Sequence, residues 1–161
     1  MGVGYVVSCV AIDIYAAKRQ MPYQIVYSSQ ATVPMSVAGL EEILADARAG
    51  NKAQDVTGAL VYAEGVFFQI IEGDKETVRN LMANIARDSR HHSVKVVCEG
   101  SVEGRAFESW SMAYLNATAE QMSAWAGLPG TSTLDDLLAD IGRAPDRVPR
   151  ILVSVLHALR R

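Results

Sequence analysis

The sequence predicts an α+β fold, in which a five-stranded mixed sheet has two helices on one face and further helices at the C-terminus. Segments with alternating apolar residues and segments with helical periodicity follow one another in the order strand, helix, strand, strand, helix, strand, strand. Residues 63–65 form a tight turn between two of the strands, which predicts an antiparallel hairpin. The last 45 or so residues show helical periodicity without a strand pattern.

The first half of the chain predicts two strands separated by a helix. The first strand spans residues 23–29, where aromatic and aliphatic residues alternate. Pro34 and Ser36 precede the first helix, and Gly50 is a residue type that commonly ends a helix. The second strand spans residues 54–62. These assignments place the first helix as a crossover between two strands of one sheet.

The middle of the chain completes the sheet. A third strand spans residues 66–73, and Asp74 is a suitable cap for the second helix. Residues 93–99 and 107–115 are predicted as the fourth and fifth strands. Two helices on one face of a largely antiparallel sheet form the ferredoxin-like plan, here with one extra strand.

The two ends of the chain are predicted to be helical additions to this sheet. Residues 117–161 form three short amphipathic helices, the first opened by a capping box at Thr118, and we expect this helical cap to cover the second face of the sheet. Residues 3–14 are apolar but too short for a membrane span and lack the basic start of a signal peptide. We interpret residues 1–20 as an extension or leader and residues 21–116 as the main domain.

Composition excludes several functional classes. The 161 residues carry a net charge of −3, which gives no electrostatic basis for binding nucleic acid or an anionic membrane. The two cysteines, Cys9 and Cys98, have no metal-ligand spacing and fit a reducing cytoplasm. The common nucleotide-binding, metalloprotease and serine hydrolase motifs are missing from the sequence. We therefore predict neither a metal site nor an enzyme.

Several polar and aromatic residues lie on elements that converge in the predicted sheet. They are Tyr27 on the first strand, Asn51 after the first helix, Gln69 on the third strand, and Trp110 and Met112, which share a face of the fifth strand. Taken singly, the aromatic residues are typical packing residues and the asparagine a typical turn residue. The amide of Gln69 is different, because its burial costs free energy unless it finds a polar partner.

Six short segments occur in an order and spacing that match one known family. They are IVYSS at 25–29, AGN at 49–51, VTGAL at 56–60, GVFFQ at 65–69 followed by EG at 72–73, RDSRH at 87–91 and FESWSM at 107–112. Through these segments, residues 23–115 resemble a BLUF domain, which senses blue light using FAD. The resemblance covers most of the predicted main domain and depends on several separate motifs.

The resemblance implies an FAD held between the two helices, with its ring edge facing Gln69. It implies that Tyr27 hydrogen-bonds to Gln69, that Gln69 contacts the flavin ring, and that Asn51 binds the carbonyl edge of the ring. The other positions that match flavin-contacting residues are Ile43, Asn84, Ile85, Arg90 and His91. Asn84 stands where many relatives have a basic residue. For Arg90 and His91, a favourable charge at a helix C-terminus is an alternative interpretation.

The implied function is that of a short, stand-alone cytoplasmic blue-light photoreceptor that is not itself an enzyme. Light rearranges the hydrogen bonds of Tyr27, Gln69 and the flavin, and Trp110 or Met112 passes the change to the C-terminal helices. The expected partners are a second copy of the chain and a separate effector, either a cyclic-di-GMP phosphodiesterase or a transcriptional regulator. Two alternatives remain open: a flavin-dependent or acylphosphatase-like enzyme on the same fold, and a ligand-binding module without light chemistry.

Overall fold

A computed structural model describes residues 20–128, 133–144 and 148–161. In this part of the chain, five strands form one sheet and five helices pack on it. The strands are β1 (Tyr23–Ala31), β2 (Thr57–Ala63), β3 (Val66–Gly73), β4 (His91–Ser101) and β5 (Ala113–Asn116), and the helices are α1 (Val37–Ala53), α2 (Lys75–Ile85), α3 (Ala119–Trp125), α4 (Leu134–Arg143) and α5 (Val148–Leu159). The predicted N-terminal extension lies outside the described residues except for Gln20.

The sheet is mixed, as predicted. Its strand order is β4-β1-β3-β2-β5, and only the pair of β2 and β5 is parallel. Tyr27 on β1 and Leu60 on β2 both lie opposite Gln69 on the central strand β3. A two-residue turn joins β2 to β3, with positive φ angles at both Glu64 and Gly65. This geometry matches the right-handed twist of the two strands and keeps them in register.

The two faces of the sheet carry separate apolar clusters. On the pocket face, α1 and α2 cover residues such as Ile25, Leu60 and Ile71. On the cap face, α3, α4 and α5 cover residues such as Val26 and Phe68. Alternate residues of each strand therefore face different helices, as the period of a strand requires. The prediction that C-terminal helices cover the second face is confirmed.

Side-chain caps begin the helices where the sequence placed them. The Ser36 hydroxyl accepts the amide of Gly39 at the start of α1, and the Asp74 carboxylate accepts two amides at the start of α2. At α3, Thr118 and Gln121 form the predicted capping box with both reciprocal hydrogen bonds. Such caps satisfy amides that have no partner within the helix.

The structure corrects the boundary between α1 and β2. The helix continues past Gly50 to Ala53, and the strand begins only at Thr57. A glycine inside a helix costs only about 1 kcal/mol, so Gly50 does not stop α1. In the last turn, the Asn51 carbonyl accepts the amides of Gln54 and Val56. Asn51 therefore lies in the last turn of α1, not after the helix.

The predicted fifth strand at residues 107–115 is wrong over most of its length. Only Ala113–Asn116 forms a strand. The preceding residues turn back on themselves, because the amide of Trp110 donates to the carbonyl of Phe107 and the Trp110 carbonyl accepts the amide of Gly58. The segment passes from one face of the sheet to the other, since Phe107 belongs to the cap-face cluster and Met112 to the pocket-face cluster.

In the described residues, no helix is both long and apolar enough to cross a membrane.

Glycine substitutions test this packing. A Cβ at position 58 would lie 2.1 Å from the Ile70 carbonyl oxygen, whereas a Cβ at position 50 meets nothing within 4 Å. We expect Gly58→Ala to lower the free energy of unfolding by at least about 2 kcal/mol. Gly50→Ala is the control and should raise it by about 0.5–1 kcal/mol, because alanine loses less backbone entropy in a helix. Urea unfolding measures both values, and equal effects would contradict the close approach of β2 to β3.

Candidate functional site

A cavity of about 250 Å³ opens between α1 and α2 above the pocket face of the sheet. Its walls are mainly aliphatic and aromatic, and its rim is polar. The lining residues are Ile43, Asp46, Ala47 and Asn51 of α1, Leu60, Phe67 and Gln69 of the sheet, Leu81, Asn84 and Ile85 of α2, and Asp88, Arg90 and His91 beyond α2. Seven of the ten site residues predicted from the sequence thus lie around one cavity.

Tyr27 and Gln69 form the buried polar pair of the site. Tyr27 is 3% exposed and Gln69 is 6% exposed, and they lie directly opposite each other on β1 and β3. The Tyr27 hydroxyl donates a hydrogen bond to Oε1 of Gln69. Directly opposed residues of antiparallel strands place their side chains close together, so the register of the sheet by itself brings the two groups within reach.

Met112 takes the other end of the same amide. Nε2 of Gln69 donates to the Met112 sulfur at 3.4 Å. A thioether is a weak acceptor, and an amide carries two protons, so one N–H of Gln69 can meet a ligand in the cavity. The prediction that Met112 and Trp110 share a face is wrong. Met112 belongs to the pocket-face cluster, whereas Trp110 packs on the cap-face cluster.

The C-terminal turn of α1 holds the backbone next to Met112. Asn51 is buried, and its Nδ2 donates to the Ser111 carbonyl at 2.7 Å. Arg48 Nε donates to the Met112 carbonyl at 3.0 Å. Asn51 therefore lines the cavity and also connects α1 to the segment that carries Met112. Its predicted role at a flavin carbonyl edge stays a prediction.

Burial keeps the Tyr27 phenol neutral. Loss of solvent raises the pKa of Tyr27 well above its ordinary value, and the nearby Asp88 carboxylate raises it further. Both effects disfavour a phenolate, because an anion in a poorly solvated site near another anion is unstable. Tyr27 is therefore a hydrogen-bond donor to Gln69 at all ordinary pH values.

His91 forms one wall of the cavity with a defined tautomer. Its Nε2 lies 2.6 Å from the Ile85 carbonyl oxygen, and its Nδ1 lies 2.7 Å from the Ser29 hydroxyl. Because a carbonyl only accepts, Nε2 carries the proton of the neutral ring and Nδ1 accepts from Ser29. The ring stands edge-on to the rings of Tyr27 and Phe67. The adjacent His92 is exposed and contacts Ser93 instead, as expected for neighbours that point apart.

One arginine at the cavity rim pairs with two carboxylates. Arg90 contacts Asp88 at 2.6 Å and Asp46 at 3.2 Å. The hydrogen bonds from Arg90 hold the pKa of Asp88 below its ordinary value, so this carboxylate is ionised at neutral pH. Asn84 lies exposed on α2 at the same rim. The rim is thus a set of polar groups at the opening of an apolar cavity.

Four residues that help to form the cavity were not predicted from the sequence: Leu60, Leu81 and the two carboxylates, Asp46 and Asp88. Helical spacing was a usable signal for Asp46, which follows Ile43 by three residues, and for Leu81, which precedes Ile85 by four. Asp88 lies in the RDSRH segment, two residues from the arginine that it binds. Leu60 is found only through the register that places it beside Gln69.

The residues around the cavity fit a flavin. Aliphatic side chains from two helices face each other across the space, which suits a flat aromatic ring system, and an amide with a spare N–H reaches one edge. Ligand pockets usually measure roughly 300–1,000 Å³, so this cavity is sized for the ring system rather than for a whole flavin nucleotide. In the described residues, no three His, Cys, Asp or Glu side chains are placed to hold a metal ion.

Comparison with known proteins identifies a family and several relatives of this chain. The sequence matches the BLUF family, described as sensors of blue-light using FAD, over residues 23–113. It is 34% identical over 133 residues to photoactivated adenylate cyclase subunit beta of Euglena gracilis, a match that covers 82% of this chain and 15% of the relative. The chain therefore spans only a small part of the curated relatives it matches.

Solved structures agree with this result. The photo-activated state of BlsA superposes with a TM-score of 0.61 at 28% identity, covering 77% of this chain and 96% of BlsA. The dark state of BlrB, a BLUF protein, superposes with a TM-score of 0.69 at 24% identity, covering 86% of this chain and 98% of BlrB, and this likeness supports the fold alone. Since the family match covers more than half of the sequence, the chain belongs to the BLUF family of flavin-binding blue-light sensors.

Proposed function

We propose that this chain binds FAD in the cavity between α1 and α2 and works as a blue-light switch through the Tyr27–Gln69 pair. The observation that carries the proposal is the position of the Gln69 amide. Its carbonyl accepts from Tyr27, its NH₂ contacts Met112, and its side chain lines the cavity. The Gln69 amide thus contacts the phenol of Tyr27, the cavity for a ligand and the flexible side chain of Met112.

A flavin held in this cavity would supply the absorption of blue light and the capacity to take one electron from a nearby phenol. Tyr27 is the buried neutral phenol at the site, and its hydroxyl proton is hydrogen-bonded to the Gln69 carbonyl. When Tyr27 loses an electron, this proton moves to Gln69, and the amide can rotate or tautomerise. Return of the electron and the proton to Tyr27 restores the phenol. No net oxidation occurs, but the donor and acceptor ends of Gln69 have changed partners.

The change reaches the rest of the protein through Met112. This residue contacts Gln69 on the pocket face, and two residues earlier Trp110 packs against Phe107 on the cap face, with ring centroids 6.4 Å apart. A displacement of Met112 therefore moves residues that support α3, α4 and α5. A single hydrogen bond has a net value of only about 1 kcal/mol, which suits a reversible switch better than a catalyst.

The proposed partner is a separate effector that contacts the C-terminal helices, either a cyclic-di-GMP phosphodiesterase or a transcriptional regulator, with the receptor as a cytoplasmic homo-oligomer. Two related structures support control of nucleotide signalling. One is a bacterial light-regulated adenylyl cyclase, 30% identical over 60% of this chain. The other is BlrP1 of Klebsiella pneumoniae, solved with cyclic diGMP, whose likeness at 24% identity concerns the fold.

Two variants test the switch. Tyr27→Phe removes the phenol proton and Gln69→Leu removes the amide, so we expect each to bind flavin but to lose the blue-light red shift of its absorption band. Tyr23→Phe is the matched control, because Tyr23 lies on the same strand and face but donates nothing to Gln69. Absorption spectra before and after illumination measure the shift. A normal photocycle in both variants would refute the roles of Tyr27 and Gln69.

The identity of the flavin is tested separately. The mass of the cofactor released from the purified protein distinguishes FAD from FMN.

Removal of the Met112 sulfur tests the second contact. Met112→Leu keeps the apolar volume but deletes the acceptor of the Gln69 amide. We expect dark recovery to slow by up to about fivefold, the effect of one net hydrogen bond. Met82→Leu is the control, since Met82 is buried in the same cluster but the hydrogen bond from the Gln69 amide goes to Met112. Equal recovery rates in the two variants would show that the sulfur has no part in the switch.

The raised pKa of Tyr27 predicts a loss of stability at alkaline pH. In the unfolded chain a tyrosine titrates near 10. Above that pH the folded state keeps the Tyr27 proton that the unfolded state has lost, so the free energy of unfolding falls as the pH rises. We expect a smaller fall between pH 8 and 10.5 for Tyr27→Phe than for Tyr23→Phe. Urea unfolding at pH 8 and at pH 10.5 measures this fall in the free energy of unfolding. An identical fall in the two variants would contradict the burial of Tyr27.

A further inference from the structure

The most deeply buried charged side chain of the described residues lies away from the cavity. Glu72, near the end of β3, has 0% of its surface exposed. It lies three residues after Gln69, so the alternation of the strand directs it to the cap face. A buried carboxylate costs several kcal/mol unless hydrogen bonds compensate it. Its partners therefore indicate what it is for.

Four donors from three parts of the chain bind this carboxylate. Oε1 accepts the amide of Phe107 at 2.6 Å and the hydroxyl of Thr57 at 3.3 Å, and Oε2 accepts the amide of Ala106 at 2.9 Å and Nε2 of Gln24 at 3.1 Å. Thr57 and Gln24 are its direct neighbours on the adjacent strands. The two amides belong to the segment that leads to Met112. Glu72 thus joins the middle of the sheet to that segment.

This segment, residues 105–112, acts as a strap that crosses from one face of the sheet to the other. It begins on the cap face, where Phe107 is fully buried, and it ends on the pocket face at Met112. Its first part is held by Glu72 and by an ion pair of Arg105 with Asp55 at 3.0 Å. Its last part is held by the bonds from the Gly58 amide to the Trp110 carbonyl, from Asn51 to Ser111 and from the exposed Arg48 to Met112, and it leads directly into β5, which pairs with β2.

The two ends of the strap are therefore held in different ways. At Glu72, one buried side chain accepts four hydrogen bonds, two of them from consecutive backbone amides of the strap. At the Met112 end, each bond comes from a different residue, and Arg48 reaches solvent. The attachment at Glu72 is therefore the place where one residue sets the position of the strap.

We infer that Glu72 is the positioning residue that fixes the strap and so holds Met112 against Gln69 from the opposite face of the sheet. The inference rests on the proposed function, because it assigns Glu72 to the coupling of the same switch. It concerns a residue outside the cavity that contacts neither Tyr27 nor Gln69. Glu72 acts by holding the backbone amides of Ala106 and Phe107 beside β3.

The test compares Glu72→Gln with Glu108→Gln in the full chain. The first variant keeps the size of the side chain but replaces one acceptor with a donor, which leaves an amide of Ala106 or Phe107 without a partner. The second removes an exposed carboxylate from the same strap. In the dark, we expect Glu72→Gln alone to shift the Met112 methyl resonance and to lower hydrogen-exchange protection of the two amides by about tenfold.

The light-dependent measurement separates this inference from the proposed function. We expect Glu72→Gln to keep a red shift but to change the dark-recovery rate by about fivefold and to lose the light-induced exchange change in α3 to α5. An unchanged Met112 resonance and recovery rate in a folded Glu72→Gln protein would overturn the inference. A wild-type protein without a red shift would overturn the proposed function, and the dark Met112 resonance would still decide the role of Glu72.

A milder variant covers the case in which Glu72→Gln does not fold. Arg105→Gln releases the strap from Asp55 at the same end without burying an unpaired group. We expect a smaller shift of the Met112 resonance in the same direction. No shift in Arg105→Gln, together with a Glu72→Gln protein that fails to fold, would assign the carboxylate to stability and not to the position of Met112.

Discussion

The rest of the structure depends on the buried hydrogen bond between Tyr27 and Gln69. It requires β1 and β3 to pair in one register, since a shift of one residue would turn both side chains to the opposite face. Apolar neighbours on the same face exclude water, which keeps the phenol neutral and makes an unpaired amide costly. The register of the sheet and the burial of both side chains therefore hold the pair in one arrangement.

In the proposed switch, the sheet separates a light-sensing face from an output face. A cavity lies under α1 and α2 on one side, and the C-terminal helices pack on the other. The strap of residues 105–112 passes between the two at the start of β2. There, Gly58 approaches Ile70 so closely that no side chain fits. A packed interior changes between discrete arrangements and does not deform continuously. In the proposed switch, a signal from one face to the other therefore passes along this crossing segment.

Much of the site was predictable from local patterns. Gln69 was recognisable because it is the one amide in a strand of apolar residues, whereas Tyr27 was identified through the family resemblance. The helix caps at Ser36, Asp74 and Thr118 were predictable from their residue types. The fifth strand was not predictable in the same way. Its aromatic and apolar residues looked like a strand, but a carboxylate far away in the sequence, Glu72, binds its backbone and turns it.

The sequence by itself determined the order of elements, the faces of the strands and the family, because these depend on local periodicity and on motifs in a fixed order. Only the tertiary structure decided that Met112, and not Trp110, contacts Gln69. It also decided that Asn51 binds the Ser111 carbonyl and that Glu72 binds the backbone of the strap. Such contacts join residues 30 to 60 positions apart, and they depend on sheet register and on a crossing between faces. No local pattern of residues encodes either feature.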